Sequence, residues 1–304
     1  MNIQAKGITA TCFAAISVLL AMGANAQQGS DLYIGKLNLL QQEPLSDIVR
    51  ITDTDAYTNQ PYFFDSNHLY FTQSVEQGDA TQTDIFEYQL LNSAIINITQ
   101  SSQSEYSATP LPAGRGMSVI RVNGDGKQQL WSLDMQGQPV QHLASGIEPV
   151  GYQVWLSKEE LLLFVLGEPH TLQRVNINSK ANKGQVIDSD IGASLYQFER
   201  SDWYLYSQGQ DNPQLKAYNA RSQNIITVAP LPKGSVYFSV SATGHVITSS
   251  GEGLYHRQLI AKGDRLQAEG DWTTIPISLE ACQSGISRTA VSHFGDKLAL
   301  ICPR

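Results

Sequence analysis

Basic residues are scarce in this chain of 304 residues. Lysine and arginine together number 20 against 28 aspartates and glutamates, which leaves a formal net charge of -8 at pH 7. Binding to a phosphate backbone needs clustered lysine and arginine side chains, and this balance of charge provides no such cluster. The composition therefore excludes nucleic acid as a partner.

Cysteine is also scarce, with three in the whole sequence. Cys12 lies inside an N-terminal apolar run, not directly after a cleavage point where the modified cysteine of a lipoprotein would stand. Cys282 and Cys302 remain, and two cysteines in an oxidising compartment predict one structural disulfide. Two buried free thiols are the alternative. A catalytic thiol is not indicated, because it would need an electropositive, partly exposed setting that the sequence does not display.

Long apolar runs are missing except at the N-terminus. There Lys6 precedes an apolar run over residues 8–22, and Ala24-Asn25-Ala26 follows it. This pattern predicts a signal peptide over residues 1–26, cleaved before Gln27. A retained anchor is the alternative, although the run is shorter than the ~20 residues that span a bilayer. We expect a soluble mature protein in the periplasm or secreted, without stable membrane insertion after cleavage.

Helical periodicity is missing as well. Short runs in which apolar and polar residues alternate recur along the chain, and clusters of Gly, Asn, Asp, Ser and Pro separate them. Alternation with a period of two is typical of strands with one buried face. The runs align into a unit of about 42 to 52 residues, the length of a propeller blade. The sequence thus predicts an all-β chain with a single β-propeller domain over residues 27–304.

Five units can be followed along the chain, and each terminus carries half of a sixth. The clearest unit has four predicted strands, at 59–64, 68–72, 83–88 and 95–99. The next three units show three strands each. The second has them at 118–122, 129–134 and 140–143, and the third at 161–165, 172–176 and 185–187. The fourth has them at 203–206, 215–219 and 225–228. A fifth unit has strands at 236–240, 245–248, 254–257 and 272–275.

The two half units predict how the ring closes. The first two strands of a blade are predicted near the C-terminus and the last two near the N-terminus, at 289–293, 297–301, 31–34 and 48–52. Pairing the halves gives a six-bladed propeller whose closing blade is shared between the termini, and closure removes exposed sheet edges. A disulfide between Cys282 and Cys302 would tie the entry of that blade to the last residues of the chain.

The clearest unit carries a recognisable repeat. Pro61 with its aromatic neighbours, a polar turn, Leu69-Tyr70-Phe71, Asp84-Ile85-Phe86 and Ile95 to Thr99 follow one another. This pattern resembles the repeat of TolB-like periplasmic propellers and extends over essentially the whole mature chain. The resemblance covers the propeller only, without the α/β domain that precedes it in TolB. It implies a non-catalytic surface that recognises proteins of the cell envelope.

Motifs for catalysis or cofactor binding are lacking. Gly124-Asp125-Gly126-Lys127 has part of a phosphate loop, but Gln128 stands where Ser or Thr would hold the metal, and no helix follows. A hairpin turn is the better interpretation. Residues 192–196 lack the last glycine of a nucleophile elbow and lie in an all-β context. We therefore predict no catalytic residues, no cofactor-binding residues and no cofactor.

Metal ligands at suitable spacing are lacking too. Asp53-Thr54-Asp55 and Asp188-Ser189-Asp190 are paired carboxylates, but a calcium loop needs further ligands at fixed offsets. The six histidines show no spacing suited to zinc, so no metal site is predicted. His68, His245 and His293 fall near the starts of second strands, which repeat equivalence explains as well as a shared site. The four tryptophans are expected to pack between blades, with stacking of sugars or peptides as the alternative: Trp131, Trp155, Trp203 and Trp272.

Two classes of function remain open. The first is a non-catalytic module of the cell envelope, expected to be a monomer, that binds a protein or peptide. The second is a propeller enzyme, such as a lyase, lactonase or glycan-active hydrolase, with one residue from each blade meeting at the central channel. Such a site leaves no local motif, and a propeller fold by itself does not decide between the two.

Overall fold

Alternating apolar and polar residues form antiparallel strands throughout the part of the chain that the computed structural model describes. The described residues are 29–78, 80–112, 114–179, 183–251, 253–262 and 265–304. Within these ranges there are 24 strands, arranged as six sheets of four. The predicted signal peptide at residues 1–26 lies outside them. No helix among the described residues has the length and apolar character to cross a membrane.

The strands follow one another in chain order, and their bounds divide into the blades of a propeller. The chain starts with two strands, β1 (Ser30–Leu37) and β2 (Leu45–Arg50). Blade 1 follows with β3 (Thr58–Phe63), β4 (His68–Gln77), β5 (Ala80–Gln89) and β6 (Ala94–Asn97). Blade 2 consists of β7 (Ser104–Pro110), β8 (Met117–Val122), β9 (Gln128–Leu133) and β10 (Pro139–His142). Blade 3 consists of β11 (Val150–Trp155), β12 (Glu160–Val165), β13 (Thr171–Asn176) and β14 (Gln185–Ser189).

The remaining strands complete two blades and return to the first two strands. Blade 4 consists of β15 (Ile191–Gln197), β16 (Trp203–Gln208), β17 (Gln214–Asn219) and β18 (Ile225–Pro230). Blade 5 consists of β19 (Phe238–Val240), β20 (His245–Ser250), β21 (Gly253–Lys262) and β22 (Arg265–Ile275). A short 3₁₀ turn at Glu280–Cys282 leads to β23 (Arg288–Val291) and β24 (Lys297–Pro303). The closing blade has the order β2-β1-β24-β23, so the predicted six-bladed propeller with a closing blade shared between both ends of the chain is confirmed.

The apolar side chains are buried between blades. Each of the six clusters of buried apolar residues joins two neighbouring blades, and together they run around the whole ring. The cluster between the closing blade and blade 1, for example, includes Leu32, Ile301, Leu69 and Phe71. A single blade has no cover for its two apolar faces, and each blade is therefore stabilised by both of its neighbours.

The Asp-Ile and Asp-Leu repeats have a local structural reason. In blade 1 the amide of Ile85 donates to the Thr99 hydroxyl at 3.0 Å, and in the closing blade the amide of Leu32 donates to Thr52 at 2.9 Å. In these two blades, a threonine two residues after the fourth strand thus satisfies a buried amide of the third strand, which would otherwise lack a partner.

The first strands of blades 2, 3 and 4 were not recognised in the sequence. They are β7, β11 and β15, and their pairing with the second strands is interrupted by irregular register. An inserted residue interrupts the alternation on which sequence-based recognition of strands depends. These strands, like β3, β19 and β23, line the centre of the ring.

Ion pairs and hydrogen bonds join the two ends of the closing blade. The carboxyl group of Asp31 on β1 is 4% exposed and accepts from Arg50 at 2.6 Å and from Arg304 at 2.8 Å. Burial alone would raise the pKa of Asp31, but the hydrogen bonds from Arg304 and Arg50 outweigh it and lower the pKa below its ordinary 3.8. The guanidinium of Arg304 also reaches Asp53 and Asp55.

The cysteines of the closing blade lie next to each other. Cys302 on β24 is buried, and Cys282 ends the 3₁₀ turn. Their Cα atoms are 4.9 Å apart and their sulfurs are bonded, which encloses a segment with a sequence separation of 20. We propose that this pair is the structural disulfide of the mature protein.

We expect the Asp31→Asn variant to lose about 2 kcal/mol of unfolding free energy, because two guanidinium groups lose a buried anionic partner. The folded-state pKa of Asp31 is lowered, so its contribution is present above pH 3.8 and is lost as the pH falls further. Urea unfolding at pH 7 and pH 3 measures both effects. The matched control is Asp47→Asn, whose exposed pair with Lys36 should contribute nothing measurable. Equal stability of the Asp31 variant and wild type at pH 7 would contradict the prediction.

Replacing Cys282 and Cys302 together by serine is expected to lower the unfolding free energy by about 3 kcal/mol, because the unfolded chain regains the entropy of an open loop. Thermal unfolding with and without reductant measures the loss. Reductant should destabilise the wild type and leave the double variant unchanged. Alkylation of both cysteines in denatured protein that has not been reduced would show that the disulfide is absent.

Candidate functional site

The first strands of the six blades enclose a central cavity of about 780 Å³. Neighbouring first strands contact one another around the whole ring, so each blade contributes one strand to the wall. The loops between the first and second strands form a mouth at one end of this cavity. A cavity of this size with mixed apolar and polar walls is the default candidate for a binding site in such a fold.

Two irregular residues direct polar groups into the wall. Gln60 in β3 and Ser107 in β7 have positive φ angles of 53° and 56°, where the register of each strand shifts. The side-chain amide nitrogen of Gln60, Nε2, donates to the Tyr152 hydroxyl at 3.2 Å. Its carbonyl oxygen accepts from the Ser107 amide at 3.1 Å and from the Thr72 hydroxyl at 2.8 Å. The Gln60 side chain therefore connects blades 1, 2 and 3.

A second polar group fixes the wall between blades 2 and 3. The buried amide nitrogen of Gln153 lies 3.0 Å from the Ser107 carbonyl and 3.1 Å from the Ser118 carbonyl. The indole nitrogen of Trp155 donates to the Ser118 hydroxyl at 3.0 Å. These contacts cross from one blade to the next, so they hold this side of the cavity in one arrangement.

Arg288 begins β23 and lies at the opposite end of that strand from the mouth loops. Its Nη2 donates to the Tyr152 hydroxyl at 2.9 Å. Its guanidinium carbon lies 3.7 Å from the ring centre of Tyr237 and 5.2 Å from that of Tyr152, within the range of cation–π attraction. Arg288 is thus a cation held among aromatic rings in the deeper part of the described lining.

The tyrosines around the cavity stay protonated at neutral pH. Burial raises the pKa of Tyr196 to about 12 and also raises the pKa values of Tyr57, Tyr62 and Tyr237. The cause is desolvation, which disfavours the phenolate. These side chains therefore offer hydroxyl hydrogen bonds and ring faces, but no negative charge.

The mouth contains a strained turn that carries two charged residues. Glu199 and Arg200 have φ angles of 46° and 56°, and Ser201 donates from its amide to the Phe198 carbonyl at 2.8 Å. Two consecutive positive φ angles are typical of a type I′ turn, which favours Asn-Gly. Arg200 donates to Nε2 of His293 at 3.0 Å, across the mouth from blade 4 to the closing blade.

Apolar surface accompanies these charges at the mouth. Phe294, next to His293, is 67% exposed, and Phe64, Leu111 and Leu156 belong to the same lining. An exposed aromatic ring beside a cavity is a feature of surfaces that bind other molecules.

Three of the carboxylates noted in the sequence, Asp53, Asp55 and Asp188, have charged protein partners. Asp53 contacts Arg50 and Arg304, and Asp55 contacts Arg304. Asp188 accepts from Lys216 and from Tyr206, both at 2.6 Å. Among the described residues no group of three or more His, Cys, Asp or Glu side chains is placed to hold a metal ion.

The two glycine-rich fragments have structural positions. Residues 123–127 form the turn between β8 and β9, where the Asn123 amide and the Lys127 carbonyl are bonded at 3.0 Å and Gly126 has a φ of 77°. Residues 192–196 lie in β15, where the Ser194 hydroxyl accepts from the Phe238 amide at 3.0 Å.

The three histidines of similar repeat position have different neighbours. His68 is 2.9 Å from Asp65, His245 lies beside His256, and His293 is at the mouth of the cavity. The tryptophans also differ from one another. Trp203 is buried in the cluster between blades 4 and 5, Trp272 donates to the Pro230 carbonyl, and Trp155 lines the cavity.

Sequence analysis assigned no role to Arg288, Tyr152, Tyr237 or Gln60. Their positions become related only when strands of several blades meet, and Arg288 and Tyr152 are 136 residues apart in the chain. Gly151 in β11 and Gly192 in β15 were the available signals, because a glycine within a strand often marks an irregular register.

Comparison with known proteins gives relatives in structure but not in sequence. No family model matches the chain, and no curated protein matches it. A putative TolB from Agrobacterium tumefaciens superposes with a TM-score of 0.64 at 12% identity, over 91% of this chain and 99% of that one. TolB from Acinetobacter baumannii gives 0.54 at 9% identity, over 90% of this chain and 63% of that one.

A puromycin-hydrolyzing peptidase from Mycobacterium tuberculosis is also similar, with a TM-score of 0.51 at 11% identity. It is matched over 80% of this chain and 43% of its own, so this chain spans less than half of the peptidase. At such identities the likeness concerns the fold. The chain has the propeller fold of the TolB structures, as the sequence resemblance predicted.

Replacing Glu199 by Asn together with Arg200 by Gly is expected to raise the unfolding free energy by about 1 kcal/mol, because both new residues tolerate positive φ. Urea unfolding measures the gain. Gln223→Gly is the matched control, since Gln223 has a φ of 61° in the turn between β17 and β18, outside the cavity lining. A less stable double variant would show that the contacts of Glu199 and Arg200 outweigh the strain.

Proposed function

We propose that this protein is a non-catalytic binding module of the cell envelope, which holds a protein or peptide at the mouth of its central cavity. The observation that carries the proposal is the composition of this site. The mouth has an exposed phenylalanine and a charged, strained turn, and behind it lies a cavity of about 780 Å³ with aromatic walls. Strained residues at a surface cleft are often maintained for a function there.

Export to the periplasm is part of the proposal. It rests on the leader pattern at residues 1–26 and on the resemblance to periplasmic propellers. A monomer is the proposed state, because the closed ring leaves no blade without two neighbours and needs no second copy to bury its apolar faces.

The composition of the cavity favours binding over catalysis. Among the described lining residues, Glu199 is the only acidic residue and His293 is the only histidine. Both belong to the mouth. The deeper wall, as far as it is described, consists of amides, hydroxyls, aliphatic and aromatic side chains and one arginine. General acid–base catalysis needs groups that exchange protons near neutral pH, and neither arginine nor these tyrosines do so.

A paired substitution tests the proposed surface. We expect Phe294→Glu to abolish capture of envelope proteins by the purified protein after gentle crosslinking in native envelope extract, because a carboxylate replaces an apolar contact. Val140→Glu is the matched control, since Val140 on β10 is also 67% exposed and lies outside the lining. Quantitative mass spectrometry identifies proteins captured by wild type and by the control but not by Phe294→Glu. Equal capture by all three proteins would contradict a site at the mouth.

A further inference from the structure

Arg288 is a cation of the interior without an anionic partner among the described residues. Two other arginines that are largely covered by the fold have one: Arg121 lies 3.0 Å from Glu105, and Arg174 lies 2.8 Å from Glu160. Arg288 forms no ion pair in the described chain, and its Nε atom is buried without a hydrogen-bond partner. A covered charge without an opposite charge is unfavourable, so the site is electrostatically incomplete.

The neighbours of Arg288 compensate only part of this charge. Tyr237 lies against the guanidinium at 3.7 Å, and the Tyr152 hydroxyl accepts from Nη2 at 2.9 Å. Cation–π attraction contributes about 2 kcal/mol when the cation is desolvated, which is less than an anion at the same distance would supply. Both neighbours also fix the plane of the guanidinium, so it is held ready for a ligand.

The tyrosines beside Arg288 do not supply the missing negative charge. Burial raises the pKa of Tyr237, and the adjacent Arg288 only partly opposes this effect. Tyr57 is affected in the same way. Because these groups stay protonated, they place no negative charge beside the arginine at neutral pH.

The cavity is positive inside an acidic protein. The formal net charge of the chain is -8, whereas its described lining contains Arg200 and Arg288 against a single carboxylate, Glu199. Glu199 belongs to the mouth turn, so the deeper part of the lining carries the charge of Arg288 alone. This distribution favours an anionic group that enters past the mouth and stops at the arginine.

We propose that Arg288 binds the carboxylate of a peptide that enters the cavity from its mouth. A guanidinium fits a carboxylate with two parallel hydrogen bonds, and one cation balances one carboxylate. A phosphate dianion would need more positive charge than this site has. The volume of about 780 Å³ exceeds that of a lone anion, so the rest of the ligand lies against Tyr62, Leu195 and Tyr196. This inference rests on the proposed peptide-binding function and names the group that is recognised.

The test compares an acid with its neutral counterpart on the unmodified protein. The probes are N-acetylphenylalanine, its C-terminal amide, N-acetylglutamic acid 1-amide and inorganic phosphate, each titrated by saturation-transfer NMR. We expect saturable binding of N-acetylphenylalanine at least roughly tenfold tighter than that of the amide, since a charge-assisted hydrogen bond is lost in the amide. Tighter binding of the glutamic acid derivative would identify a side-chain carboxylate as the source. Equal affinity of acid and amide, or a preference for phosphate, would overturn the proposal.

Variants locate the effect. Arg288→Met should bring the affinities of acid and amide to within about twofold of each other, while Arg288→Lys should keep part of the preference because it keeps the charge. Arg221→Met is the control, since Arg221 is 83% exposed and pairs with Asp202 on the surface. An acid preference that persists in a folded Arg288→Met protein would overturn the assignment. If that variant does not fold, the acid and amide comparison on wild type decides.

The outcomes separate this inference from the proposed function. Capture of envelope proteins that depends on Phe294, together with equal binding of acid and amide, leaves the binding module intact and removes the role of Arg288. A clear preference for the acid together with capture that is insensitive to Phe294→Glu supports the carboxylate site and rejects the mouth as the partner surface.

Discussion

The structure depends on the requirement that every sheet must cover two apolar faces. Each blade has only its two neighbours for this purpose, and all six apolar clusters lie between blades. A linear array would leave one apolar face bare at each end, so the two ends of the chain have to meet. Pairing of β1 with β24 meets this requirement, and the contacts of Asp31 with Arg50 and Arg304 stabilise that junction.

The same constraint leaves the centre of the ring available for function. The first strands are held in place by their blades, and the edge that they turn to the centre is paired with no further strand. Irregular register and positive φ angles are tolerated there, as Gln60 and Ser107 show. Polar and charged groups such as Gln153 and Arg288 accordingly collect around the cavity, while the apolar residues occupy the spaces between blades.

Sequence reasoning succeeded where one local rule repeats and failed where several blades act together. Asp31-Leu32 and Asp84-Ile85, each followed by a threonine at the end of the next strand, predicted both the unit and its closure. In β7, β11 and β15, which were not recognised, inserted residues break the alternation. β3 has the same irregularity, but Pro61 and its aromatic neighbours allowed it to be recognised. The role of Arg288 could not be predicted from the residues next to it in the sequence, because its partners Tyr152 and Tyr237 come from blade 3 and from the start of blade 5.

The pairing of β1 with β24 also determines when folding can finish. Chains are synthesised from the N-terminus, so β1 and β2 exist for the whole period in which the other five blades are made. The strand that β1 needs, β24, is made after the other five blades. Long-range pairing of this kind is slow and leaves a strand edge open to wrong partners until it forms. The ring therefore cannot close before β24 has been made, and a nascent protein that stops short of β24 leaves one edge of β1 unpaired.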